Sequence, residues 1–190
     1  YVHESQYDEF VERAVATISD YRLGNPLDAD TTMGPMAHLR FADTVRRQTA
    51  AAVAGGATAH IATMDADDGG AYLTPQLLTG VTHDMEVMRE ESFGPVVGVM
   101  KVSGDDEAVA LMNDSRYGLT ASLWTPDVER AARVGDRVET GTVFLNRADY
   151  LDPGLCWTGV KDTGRGGGLS VIGYHNLTRP KSYHLKKVIS

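Results

Sequence analysis

Tyr7, Phe10, Val11, Ala14, Val15 and Ile18 recur at intervals of three and four residues, which places their apolar side chains along one face of a helix. The spacing predicts a helix starting at Ser5, with Ser5 and Asp8 as a capping box and Gly24-Asn25-Pro26 as its stop. A polar loop follows over 27–35. A second helix is predicted over 38–54, closed by Gly55-Gly56. Strand-like runs come next at 57–63, 72–78 and, most strongly apolar, 96–102. Asp105 caps a predicted helix ending near Asn113, and 119–124 reads as a strand. Thr125-Pro126 has the composition of an N-cap and first helical position for a helix over 127–138. A strand at 142–146, a glycine-rich irregular stretch over 149–168 and a basic, partly alternating tail over 178–188 complete the pattern.

Strands alternating with helices predict an α/β fold: a mostly parallel twisted sheet with flanking helices, plus a C-terminal strand extension. Tyr1-Val2 reads as the end of a strand already under way, so a segment before Tyr1 is expected. Residues 1–176 form the expected main domain, incomplete at its N-terminus, and 177–190 the expected terminal strand. Lysines in that tail are a common protection for an exposed edge.

Composition narrows the function. A net charge of −8 argues against wrapping the phosphates of DNA or RNA. No apolar run approaches the roughly 20 residues needed to span a membrane. The single cysteine, Cys156, excludes an internal disulfide framework and fits a reducing compartment, so a cytoplasmic location is expected. The six histidines (His3, His38, His60, His83, His175 and His184) lack metal-ligand spacing and read as surface or packing residues. Gly164-Arg165-Gly166-Gly167-Gly168 fails the dinucleotide pattern because Leu169 takes the sixth position. It reads instead as a turn through which the backbone passes closely, with Lys161 and Arg165 tying loop carbonyls.

Five segments occur in one order. They are Gly24-Asn25-Pro26 with Met33-Gly34-Pro35; Glu90-Glu91-Ser92-Phe93-Gly94-Pro95; Asn113 through Tyr117-Gly118-Leu119; Gly141-Thr142-Val143-Phe144-Leu145-Asn146; and Trp157 through Lys161 to Gly166. Together they resemble the NAD(P)-dependent aldehyde dehydrogenases, along the part of that family following its nucleophilic cysteine. The resemblance implies oxidation of an aldehyde to a carboxylic acid. A cysteine thiohemiacetal passes hydride to NAD or NADP, and water then hydrolyses the thioester. The nucleophile, the general base and the Gly-rich cofactor domain would all precede Tyr1, so no catalytic residue and no metal site is assigned within the chain. An isolated chain is therefore expected to be inactive.

By the same resemblance, Glu91 accepts hydrogen bonds from the nicotinamide ribose hydroxyls and Phe93 lies against the nicotinamide ring. A carboxylate offers two acceptor oxygens to a diol. Without the resemblance, Glu91 is a solvated loop acid and Phe93 a packing residue. Leu151 and Trp157 align with positions lining the aldehyde tunnel. Trp157 stands where Phe is usual, so it either narrows the tunnel, offers an indole N–H, or simply packs. Arg147 and Asp149 share that loop, and Cys156 reads as a small half-buried residue. The resemblance also implies a homo-oligomer built through the C-terminal strand. The other readings of the chain are a non-catalytic, truncated oligomerisation or interaction module and a separate thiol enzyme built on Cys156. Whichever holds, a piece lacking its cofactor domain is expected to expose apolar surface and self-associate.

Overall fold

The computed structural model describes residues 1–188. It divides into two compact units, Tyr1–Ala108 and Val109–Ser190, and the division falls within one helix. In chain order the first unit holds β1 (Val2–His3), α1 (Glu4–Ser19), α2 (Leu39–Ala54), β2 (Thr58–Ala59), β3 (Gln76–Thr79), α3 (Glu86–Arg89), β4 (Val96–Gly98) and β5 (Lys101–Val102). Helix α4 (Asp105–Asn113) carries the division. The second unit continues with β6 (Tyr117–Gly118), β7 (Thr120–Leu123), α5 (Val128–Gly135), β8 (Thr142–Leu145), β9 (Trp157–Thr158), β10 (Val160–Lys161), β11 (Gly167–Gly168) and α6 (Ser170–Asn176).

The fold is α/β, as the alternation predicts. The parallel pairings are β1–β5, β3–β4 and β7–β8; β2 joins β3 antiparallel, and the short pairs β6–β10 and β9–β11 are antiparallel. In the first unit the core gathers Ala52, Ala57, Leu78 and Val81, with Met85, Val87, Met88, Val96 and Met100 packed against it. Val109, Ala121, Val134 and Val138 form a second cluster in the other unit.

Several boundaries differ from expectation, each for an identifiable physical reason. Helix α1 is capped by His3, whose Nδ1 accepts from the Ser5 N–H at 3.2 Å, rather than by a Ser5–Asp8 box. It ends at Ser19, before Gly24. His38 caps α2 in the same way, accepting from the Arg40 N–H at 3.1 Å. The run 96–102 splits because it changes partner. Val99 N–H donates to the Leu78 carbonyl of β3, whereas the Met100 carbonyl accepts from Val2 of β1. The strand expected at 72–78 begins only at Gln76, because the backbone before it is used elsewhere. The Tyr72 carbonyl accepts from Arg46, and the Thr74 N–H donates to Asp67.

The strand expected over 57–63 shortens to β2. Beyond it the Gln76 side chain replaces the ladder, donating to the Ile61 carbonyl at 2.7 Å and accepting from its N–H at 3.2 Å. Asp127, not Thr125, caps α5, accepting from the Arg130 N–H at 2.8 Å. Helices α3 and α6 have no counterpart in the sequence expectation. The terminal strand expected over 177–190 pairs with no other strand among the described residues. Residues 177–188 belong to no ladder, and 189–190 lie outside the described residues.

Candidate functional site

The Glu90–Pro95 segment is a turn held at both ends on α2. On one side α3 leads into it, closed by the Glu90 N–H donating to the Glu86 carbonyl at 2.9 Å. Met85, Val87 and Met88 seat this helix on the first core. Glu86 is gripped by Arg47, whose two terminal nitrogens donate to its two carboxylate oxygens at 2.5 and 2.8 Å. Gln48 Nε2 lies 3.4 Å from the same carboxylate. Arg47's hydrogen bonds hold the Glu86 carboxyl below its ordinary range, against a smaller opposing effect of burial.

At the other end, Gly94 sits where a Cβ would lie 2.6 Å from Val45 Cγ2 and 3.0 Å from Met36 Cε, so no side chain fits there without displacing them. The Pro95 carbonyl then accepts from the Gln76 N–H at 2.7 Å, which ties the turn to β3. Between these anchors, Glu91 is exposed and makes no hydrogen bond or ion pair among the described residues. Phe93 is 80 % exposed at a φ of 47°. A bulky residue in the left-handed region is a backbone outlier costing about 1–3 kcal/mol, so its surroundings must enforce it. An exposed aromatic ring on a strained backbone position thus lies next in sequence but one to a carboxylate with no partner among the described residues.

In the second unit Trp157 is half-buried and its strand pairs with the glycine strand, Trp157 opposite Gly168. Trp157 borders a cavity of about 240 Å³ together with Leu119, Thr158, Thr163, Arg165 and the backbone of Gly164–Gly168. Leu151 is not part of that lining. It is 59 % exposed in the loop after Asn146, with Tyr150 and Leu155 also exposed. The Arg147 guanidinium stacks over the Tyr150 ring at 4.2 Å. Cys156 is half-buried, and a Cβ on Gly167 would lie 2.8 Å from its Sγ, a packing contact rather than a reactive pairing.

The remaining motif residues of this unit build the scaffold. Lys161 Nζ donates to the carbonyls of Asn113 and Ser115 at 2.8 and 2.9 Å and pairs with Glu139 at 2.9 Å. Lys161 thus ties carbonyls, as expected, but those at the end of α4 rather than of the glycine-rich turn, whereas Arg165 makes no hydrogen bond or ion pair among the described residues. Asn113 bridges outward, donating to the Arg137 carbonyl and accepting from the Glu139 N–H, both at 2.8 Å. Asn146, at a φ of 54°, extends the end of β8 by exchanging two hydrogen bonds with the Thr125 backbone.

The Arg47–Gln48–Glu86 cluster was not anticipated from the sequence. A signal for it existed: Gln48 occupies the apolar phase of α2, in line with the buried Ala42, Val45 and Ala52, and is 2 % exposed. Its Oε1 has no hydrogen-bond partner among the described residues. A buried amide in that phase implies a polar neighbour from elsewhere in the chain.

Residues 1–183 match the aldehyde dehydrogenase family. Among curated proteins, the chain is 39 % identical over 180 residues to a succinate-semialdehyde dehydrogenase [NADP(+)] of Deinococcus radiodurans, covering 95 % of this chain and 38 % of that protein. It is 38 % identical over 182 residues to an aldehyde dehydrogenase of Paenarthrobacter nicotinovorans, covering 96 % and 40 %. The solved structure of Gox0499 superposes with a TM-score of 0.90 at 41 % identity, over 97 % of this chain and 41 % of that one. Succinic semialdehyde dehydrogenase from Streptococcus pyogenes, in complex with NADP+, gives a TM-score of 0.85 at 32 % identity, over 91 % and 38 %. The chain thus spans about two-fifths of the length of the curated relatives it matches. With its five motif segments in order and a match running through nearly all its residues, this chain belongs to the aldehyde dehydrogenase family.

Proposed function

We propose that this chain supplies the nicotinamide-side part of the active site of an NAD- or NADP-dependent aldehyde dehydrogenase, which oxidises an aldehyde to a carboxylic acid. The carrying observation is the Glu91–Phe93 turn, an exposed aromatic at positive φ beside a carboxylate with no partner among the described residues. The chemistry fits. Carboxylate oxygens with no partner among the described residues suit a ribose diol, and an exposed ring suits the flat face of a nicotinamide. The cofactor, when bound, supplies an acceptor for the hydride leaving the aldehyde carbon. Glu91 orients the ribose through its acceptor oxygens, and Phe93 covers one face of the ring and keeps water from it. Leu151 and Trp157 supply apolar contact to the aldehyde's side chain.

The reading concerns a complete protein of the relatives' length. In such a protein the exposed Leu177, Tyr183, Leu185 and Val188 of the tail serve assembly between copies. No helix among the described residues is long and apolar enough to cross a membrane. A cytoplasmic setting suits the lone thiol of Cys156.

The test is aldehyde-dependent reduction of NAD and NADP by the complete protein, with and without Glu91→Gln. Wild-type turnover with a raised cofactor KM in the variant supports the reading. Absence of turnover with any aldehyde or cofactor overturns it and favours the non-catalytic module.

A further inference from the structure

The turn that presents Glu91 and Phe93 has an anchor outside itself. Helix α3 is a single turn, Glu86–Arg89, too short to fix its own direction. Its apolar side is held by Met85, Val87 and Met88 on the core. Its polar hold is the fork between Arg47 and Glu86, two parallel N–H to oxygen bonds at 2.5 and 2.8 Å, with Gln48 alongside. Such a bidentate pair restricts orientation as well as distance. Arg47 and Gln48 follow closely in α2 after Val45, the residue against which Gly94 is pressed. One helix therefore sets both ends of the turn, at Glu86 and at Gly94, and Phe93 is held at positive φ between them.

We propose that Glu86, through Arg47 and Gln48, is a positioning residue that fixes the Glu91–Phe93 turn for the nicotinamide end of the cofactor. The proposal rests on the cofactor role assigned to that turn above. Glu86 itself need not touch the cofactor; it acts by restricting where Glu91 and Phe93 point.

The experiment uses the complete enzyme carrying Glu86→Gln, Arg47→Met, or the exchanged pair Arg47→Glu with Glu86→Arg. Glu91→Gln serves as reference, and circular dichroism reports the fold of each. Two quantities are measured: hydrogen–deuterium exchange of peptides covering 90–96, and the dissociation constant of reduced cofactor from its fluorescence. Exchange in 90–96 should quicken in both single variants. Cofactor affinity should weaken by about two- to fivefold, the upper range of exposed ion-pair couplings, while kcat changes little. The exchanged pair should recover most of both.

Unchanged exchange and affinity in folded Glu86→Gln and Arg47→Met would overturn the proposal. So would weaker binding in Glu91→Gln with none in Glu86→Gln, and in that case the role of the turn itself survives. If Glu91→Gln also binds cofactor normally, the underlying reading falls and this proposal with it.

Discussion

Replacing Lys161 by methionine should cost the second unit a measurable part of its stability. The side chain is 21 % exposed, and its ammonium donates to the Asn113 and Ser115 carbonyls at and just after the C-terminal end of α4. Methionine keeps most of the aliphatic stem but cannot donate. A hydrogen bond involving a charged group contributes about 1.5–3 kcal/mol, and a cation at a helix C-terminus adds about 0.3–1 kcal/mol. Because the freed carbonyls regain water in part, a total loss of about 2–4 kcal/mol is expected, roughly 30- to 700-fold in the folding equilibrium. The ion pair to Glu139 adds less, since that side chain is 61 % exposed; exposed pairs contribute at most about 1 kcal/mol.

Both tryptophans, Trp124 and Trp157, lie in the second unit, so urea unfolding followed by their fluorescence reports this part of the chain. The midpoint of Lys161→Met should fall by about 1–2 M if the urea dependence is near 2 kcal/mol/M. Glu139→Gln should shift it much less. An unchanged midpoint in Lys161→Met would refute the reasoning. Equal losses in the two variants would also refute it, since the ion pair rather than the carbonyl cap would then be responsible.

Gly141→Ala should destabilise the same unit by about 1–3 kcal/mol or more, because its new Cβ would collide with the Thr158 carbonyl. Gly168→Ala, which meets open space, should be close to neutral in the same fluorescence assay. In the first unit, burial pushes the Asp67 carboxyl up, but hydrogen bonds from Thr74 and Arg46 outweigh it and hold the group below its ordinary value. The stability this provides is complete above the ordinary aspartate value of about 4 and is lost as pH falls through the lower folded-state value. Wild type should therefore exceed Asp67→Asn in thermal stability at neutral pH, with the gap closing in acid. A constant gap across pH would contradict this. Leu151→Ala and Trp157→Phe should change kcat/KM ratios among aldehydes of different size without changing cofactor affinity. Parallel loss for all aldehydes would remove both residues from the substrate path.

Local signals were readable where the chemistry is local. Helix α4 ends at Asn113 as expected and begins at Asp105, which is its first residue rather than its cap, and α2 ends at the predicted glycine. The histidine caps were missed because imidazole is an uncommon N-cap, although a neutral Nδ1 accepts a backbone N–H as an aspartate oxygen does. The split of 96–102 requires knowing that two different strands, β3 and β1, lie alongside it, and no periodicity within one run encodes that. The candidate site was legible in part. The Glu90–Pro95 motif singled out Glu91 and Phe93, but the grip on Glu86 joins residues nearly forty positions apart. Its only trace in the sequence is Gln48 in the apolar phase of α2. Leu151 and Trp157 came from resemblance, and only Trp157 borders a cavity.

In the function proposed above, the Glu91–Phe93 turn holds the nicotinamide end of a dinucleotide. Titrating the complete protein with reduced NAD and NADP, for wild type, Glu91→Gln and Phe93→Ala, tests it most directly. Losing a charge-assisted acceptor from a diol costs about 1.5–3 kcal/mol, so Glu91→Gln should weaken binding of the preferred cofactor by roughly 10- to 150-fold. Phe93→Ala should weaken it as well. Unaltered affinity in both variants, with the protein folded, would contradict the account.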